Sequence, residues 1–147
     1  VNATGFGLSA IGSADATIYG IFDGATYNSY SVTDGSLQAQ PTPVTLIPEK
    51  CDFTQSAGTI AICGATLETL PPQMPNPWFR GTVTLNDSLW EFNVDRQSAR
   101  LLVSPETATG RQIDVINPQI SGNDRNFYFQ NKTDNTLWTY AYILTNS

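Results

Sequence analysis

WFRGTVTLNDSLWEFNVDRQSARLLVS, residues 78–104, reads as three consecutive antiparallel strands. Phe79, Gly81, Val83 and Leu85 alternate with Arg80, Thr82 and Thr84. After Asn86-Asp87-Ser88 the pattern resumes with Trp90, Phe92 and Val94 against Glu91, Asn93 and Asp95; after Arg96-Gln97-Ser98 come Ala99, Leu101 and Val103. Period-two alternation broken by turn-forming residues marks strands with one buried and one solvated face.

The flanks repeat the pattern. Upstream, Gly5 to Ile11 alternates small and bulky residues, and Asp23-Gly24 and Asp34-Gly35 each sit between β-prone runs, as hairpin turns do. Gln40 to Glu49 carries prolines at 41, 43 and 48, which confine any strand there to an edge. Residues 71–77, PPQMPNP, hold four prolines and read as an extended crossing from one sheet to another. Downstream, Arg111 to Ile116 forms a short strand stopped by Asn117-Pro118, Phe127 and Phe129 share a face opposite Tyr128, and Thr136 to Leu144 is apolar on both faces, as a central or interface strand would be. No window carries a capped helical stripe. The expected fold is all-β: one domain over residues 1–147, an antiparallel two-sheet sandwich of jelly-roll or barrel-like form with about ten to twelve strands.

Cys51 and Cys63 bracket CDFTQSAGTIAIC. Folding 51–55 back on 59–63 leaves Ser56-Ala57-Gly58 as the loop, with glycine where a positive φ is wanted, and sets the two cysteines directly opposite each other. That register predicts a disulfide, and a disulfide predicts an oxidising, extracellular setting. The sequons at Asn2, Asn86 and Asn131 fit a secreted glycoprotein. The formal charge of −6, with only seven scattered Lys and Arg residues, argues against nucleic acid and against anionic membrane surfaces, and no apolar run reaches membrane-spanning length.

The chain has no histidine, which removes the commonest general base and zinc ligand. Lys50, beside Glu49 and Cys51, and Lys132, inside a turn, read as solvated charges rather than catalytic bases. Glu91 and Asp95 share a strand face, but four residues place their Cα atoms ~13 Å apart, beyond the roughly 5–9.5 Å between glycosidase carboxyl groups. Another strand could bring in Asp87, Asp114 or Asp124. The loops around Asn123-Asp124 and Asp134-Asn135 lack calcium-loop spacing and read as turn chemistry. No catalytic residue, cofactor or metal is assigned on these grounds.

Aromatic residues carry the positive signal. Trp78 ends the proline-rich connector, and Trp138, Tyr140 and Tyr142 line one face of the last strand, where they would form a stacking platform for carbohydrate or a surface protein. The sequence is similar in texture to small secreted β-sandwich proteins and to virion or surface-filament subunits, without a motif that names a family. The first expectation is therefore a secreted, non-enzymatic binding protein. The alternative is a cell-wall, coat or filament subunit that self-assembles by strand addition, and a carboxylate-based glycoside hydrolase is the weaker third.

Overall fold

The computed structural model describes residues 6–36 and 38–142. Eleven strands and two short helices follow in chain order: β1 (Phe6–Gly12), β2 (Ala16–Phe22), β3 (Tyr27–Thr33), β4 (Gln40–Pro41), β5 (Cys51–Phe53), β6 (Ile60–Ala65), α1 (Asn76–Phe79), β7 (Ser88–Asn93), β8 (Ser98–Val103), α2 (Pro105–Thr109), β9 (Val115–Ile120), β10 (Asn126–Asn131) and β11 (Leu137–Ala141). A 3₁₀ turn, Pro48–Lys50, leads into β5. The fold is all-β. Its strands form three antiparallel ladders, β1-β2-β3-β4, β5-β6-β7-β8 and β11-β10-β9, where the sequence pattern predicted two.

Side-chain parity shows how the ladders stack. Ala61, Cys63 and Phe92 of the β5–β8 sheet pack with Ala16 and Ile18 of the first sheet. Ile62 and Leu89, the opposite parity on the same strands, pack with Val115, Ile120, Phe127 and Phe129 of the third. The β5–β8 sheet is thus the middle layer, apolar on both faces, and every residue of β6 is buried. A strand between two layers has no wet face, so it reads as a continuous apolar run, IAICGA, in place of an alternation. Each large side chain withdrawn from water there stabilises the fold by about 1.5–3 kcal/mol.

The cysteine hairpin holds as expected. Cys51 pairs directly with Cys63 in the β5–β6 register, and the two are disulfide-bonded. Gly58, however, is not among the glycines with positive φ. A Cβ there would meet an Asp15 carboxylate oxygen at 2.1 Å, the end of an exposed side chain that can turn aside.

Elsewhere the structure corrects the sequence pattern. The strand expected over 79–85 does not form. Residues 76–79 are helical, and Pro77 O accepts the amides of Thr82 and Val83, folding the chain back on the connector. Leu85 N donates to the Asp114 carboxylate, so a side chain replaces the strand partner. The connector joins β6 to its own neighbour β7 and is not a crossing between sheets; it covers a third apolar cluster of Met74, Trp78 and Leu85 with Tyr27 and Ile47. The Asp23-Gly24 turn is a four-residue loop, because Phe22 pairs with Tyr27 and Asp23 Oδ1 accepts from Ala25 N and Thr26 N. After Asp34-Gly35 the returning strand is confined to Gln40–Pro41. Strand β9 continues through Asn117-Pro118, which it can because it lies at a sheet edge and carries a bulge opposite Tyr128–Gln130. The last strand is an edge strand and not a central one.

Gly64 sits at a close approach of the middle and third layers, since a Cβ on it would lie 2.6 Å from Val115 Cβ and Cγ2. Gly64→Ala should therefore force the layers apart and cost about 1–3 kcal/mol. Urea unfolding checks this; an unchanged midpoint would contradict the packing described here.

Candidate functional site

Three chain segments end at one buried point between the middle and third sheets. The 3₁₀ turn is opened by Pro48, and its last residue, Lys50, is only 1% exposed. Asp87 immediately precedes β7 and Asp114 immediately precedes β9; they are 2% and 1% exposed. Lys50 Nζ lies 2.5 Å from Asp87 Oδ2 and 2.5 Å from Asp114 Oδ1, and donates a third bond to Val115 O at 3.1 Å. The three bonds use all three hydrogens of the ammonium.

The carboxylates differ in their other partners. Asp114 receives Trp78 Nε1–H on both oxygens, at 2.9 and 3.1 Å, and Leu85 N–H on Oδ2 at 3.1 Å. Its own amide donates to Asn131 Oδ1. Asp87 Oδ2 accepts from Val115 N at 2.8 Å, while the buried Oδ1 has no hydrogen-bond partner among the described residues. The Trp78 ring lies beneath both lysines, 4.8 Å from Lys50 Nζ and 5.3 Å from Lys132 Nζ. Lys132 Nζ also donates to Trp78 O.

With both carboxylates ionised, one lysine would leave a net negative charge in a dry site. Burial pushes the Asp87 carboxyl above its ordinary range; Lys50 and Val115 N–H pull against that shift and Asp114 adds to it. A proton on Asp87 would balance the charges that meet there. What the arrangement offers chemically is a primary amine in contact with two carboxyl groups, with N–H donors already aimed at one of them.

The residues singled out in the sequence fall out differently. Trp78 is 2% exposed and packs in the core, so it is not a surface platform. Its indole is drawn inward because its N–H finds Asp114. Tyr142 is also buried, with its hydroxyl donating to Glu91 Oε2 at 2.5 Å, and Trp138 and Tyr140 are half-buried against the cluster between the second and third sheets. The aromatic face of β11 thus looks into the protein, and the exposed face is Leu137, Thr139 and Ala141. Glu91 also pairs with Arg100 at 2.9 Å, whereas Asp95 is exposed, so these two carboxylates are not brought together.

Asn131 is buried at the end of β10. Its side chain accepts from Asp114 N and Thr133 N and donates to Gln112 O, so the fold leaves no room there for a glycan. Asn86 is half-buried and donates to Glu106, and Asn2 lies outside the described residues. Asp124 is occupied by Gln55 N, Ser56 N and the Ser56 hydroxyl. No three His, Cys, Asp or Glu side chains among the described residues form a metal-holding group.

Lys50 is buried and ion-paired instead of solvated, and Lys132 is half-buried. One signal pointed the other way: Lys50 stands between Ile47-Pro48 and a disulfide cysteine, in an otherwise buried stretch.

Because the folded-state pKa of Asp87 is raised, the native protein holds a proton there that the unfolded chain, with an ordinary Asp pKa of about 3.9, releases first. The resulting stability is full below that unfolded value and is lost as pH rises through the folded one. Asp87→Asn, which keeps the neutral form, should flatten this decline in urea midpoint above pH ~4. An identical slope in the variant and the parent would exclude Asp87 as its source.

Comparison with known proteins gives no relative to reason from: no protein-family model matches the chain, and no curated protein or solved structure matches it either.

Proposed function

We propose that the protein is a non-catalytic structural module, a coat or surface-filament subunit of an extracellular assembly, which self-associates by adding a strand of a second copy to the free edge of β11. The supporting observation is the chemistry of that edge.

Sheets expose unpaired N–H and C=O groups at their edges, and soluble proteins protect them with charge, proline, bulges or brevity. Five of the six edges among the described residues carry such protection. Strand β1 has an irregular register near Phe6–Ser9; β4 is two residues long and contains Pro41; β5 has three residues; β8 carries Arg100; β9 has Pro118 and a bulge. The sixth, β11, is Leu137-Trp138-Thr139-Tyr140-Ala141, with no charge and no proline.

The register fixes which groups are free. Tyr142 N bonds Arg125 O and Asn131 N bonds Thr136 O, so the even-numbered residues of β11 bond β10. The amides and carbonyls of Leu137, Thr139 and Ala141 consequently point away from the sheet. Leu137, 83% exposed, gives an incoming strand an apolar side chain to cover.

The disulfide is compatible with an extracellular setting, and no helix among the described residues is long and apolar enough to cross a membrane. Carbohydrate binding through Trp78, Trp138, Tyr140 and Tyr142 loses support from the inward orientation of those rings.

Light scattering across a concentration series tests the reading. The parent chain should grow in mass with concentration, and Thr139→Lys, a charge on the free edge, should remain monomeric with an unchanged thermal midpoint. A parent that is monomeric at every concentration, or a Thr139→Lys variant that assembles equally well, would contradict strand addition at β11.

A further inference from the structure

The Lys50 cluster has more than an ion pair needs. It is sealed from water, its amine touches two carboxyl groups, and one of those carboxyls is already wrapped in N–H donors. We propose that, once the chain has folded, Lys50 Nζ and the Asp114 side chain condense into an intramolecular isopeptide bond, with Asp87 moving the protons.

The contacts assign the roles. The acyl partner must have an oxygen on which negative charge can build, held by preorganised donors. Asp114 Oδ2 faces Leu85 N–H at 3.1 Å and the Trp78 Nε1–H, also at 3.1 Å, which it shares with Oδ1. Asp87 has one donor other than Lys50, Val115 N–H, and it falls on the oxygen that already contacts the amine. Its Oδ1 is buried and without a partner among the described residues, which leaves Asp87 free to carry a proton.

The reaction balances without any co-reactant. A proton passes from the Lys50 ammonium to Asp114 Oδ1 across their 2.5 Å contact, giving an amine and a carboxylic acid. The Nζ lone pair forms the C–N bond to Asp114 Cγ, and the carbonyl π electrons move onto Oδ2 between its two donors. Asp87 gives its proton to the Oδ1 hydroxyl and takes one from Nζ. The Cγ–Oδ1 bond then breaks, Oδ1 leaves as water and Asp87 is regenerated as an acid. Nothing is oxidised or reduced.

Two features favour the forward direction. Fixed placement of amine and acid corresponds to an effective concentration on the order of 10⁵–10⁸ M. The product also replaces a buried ion pair, which water no longer solvates, with a neutral amide. That amide keeps the same partners: its oxygen accepts from Leu85 and Trp78, and its N–H faces Val115 O and Asp87.

Intact mass of the folded, purified full chain, measured after denaturation and disulfide reduction, tests the proposal. The parent should be lighter than its sequence mass by one water, and a proteolytic digest should contain a branched peptide joining the segments of Lys50 and Asp114. Lys50→Arg, Asp114→Ala and Asp87→Asn should each run at full sequence mass. Asp87→Asn should do so while unfolding cooperatively, which separates loss of the bond from loss of the fold. A folded parent at full sequence mass would overturn the proposal, as would a water loss mapped to a lone aspartate. A branch at Asp87 would overturn the assignment of Asp114, and a cross-link surviving in Asp87→Asn would overturn the proton-carrying role.

Discussion

The burial of one ammonium group is the constraint on which the rest of the structure depends. Lys50 is completely withdrawn from water, and a charge so placed costs several kcal/mol unless partners surround it. Its partners are the aspartates that immediately precede β7 and β9 and the carbonyl of Val115. Satisfying Lys50 therefore fixes where the chain returns to the middle sheet at β7 and where it enters the third at β9. Trp78 and Leu85 are recruited through Asp114, so the long connector between β6 and β7 is held by the same contacts.

The same device recurs across the layers. Asp52, on the middle sheet, accepts from Ile120 N of β9, and Asp124, beside β10, accepts from Gln55 N and Ser56 N of the cysteine hairpin. Carboxylates here do what a neighbouring strand would otherwise do, since buried or half-buried backbone N–H groups must find acceptors. The acidic composition is thus partly structural: four aspartates, Asp52, Asp87, Asp114 and Asp124, accept backbone amides from distant segments. The disulfide adds a local constraint within the middle sheet, and apolar packing on both faces of β6 binds the three layers together.

How much of this was legible depended on whether the determining contact was local. The Cys51–Cys63 register follows from counting residues back from a turn, and alternation finds β7 and β8 but not their faces, since Glu91 is buried and Leu101 is exposed. Leu85 alternates correctly and is buried, yet forms no strand, because its amide is claimed by an aspartate 29 residues away. No local pattern encodes that choice. Alternation places the aromatics of β11 on one face, but the sequence does not say which side of an edge strand the next layer covers. The site itself was hidden by the usual meaning of its letters. A lysine, two aspartates and a tryptophan scattered over residues 50–114 have no motif spacing, and they become a unit only through the stacking of the second and third sheets.

The most direct test of this account is equilibrium urea unfolding of Lys50→Met, which keeps the side-chain length and removes the charge. Two carboxyl groups would then be buried without their cation, and the account predicts a loss of about 3–5 kcal/mol together with a change in the Trp78 environment seen in near-ultraviolet dichroism. A Lys50→Met protein as stable as the parent, with Trp78 unmoved, would show that the buried lysine does not organise the fold.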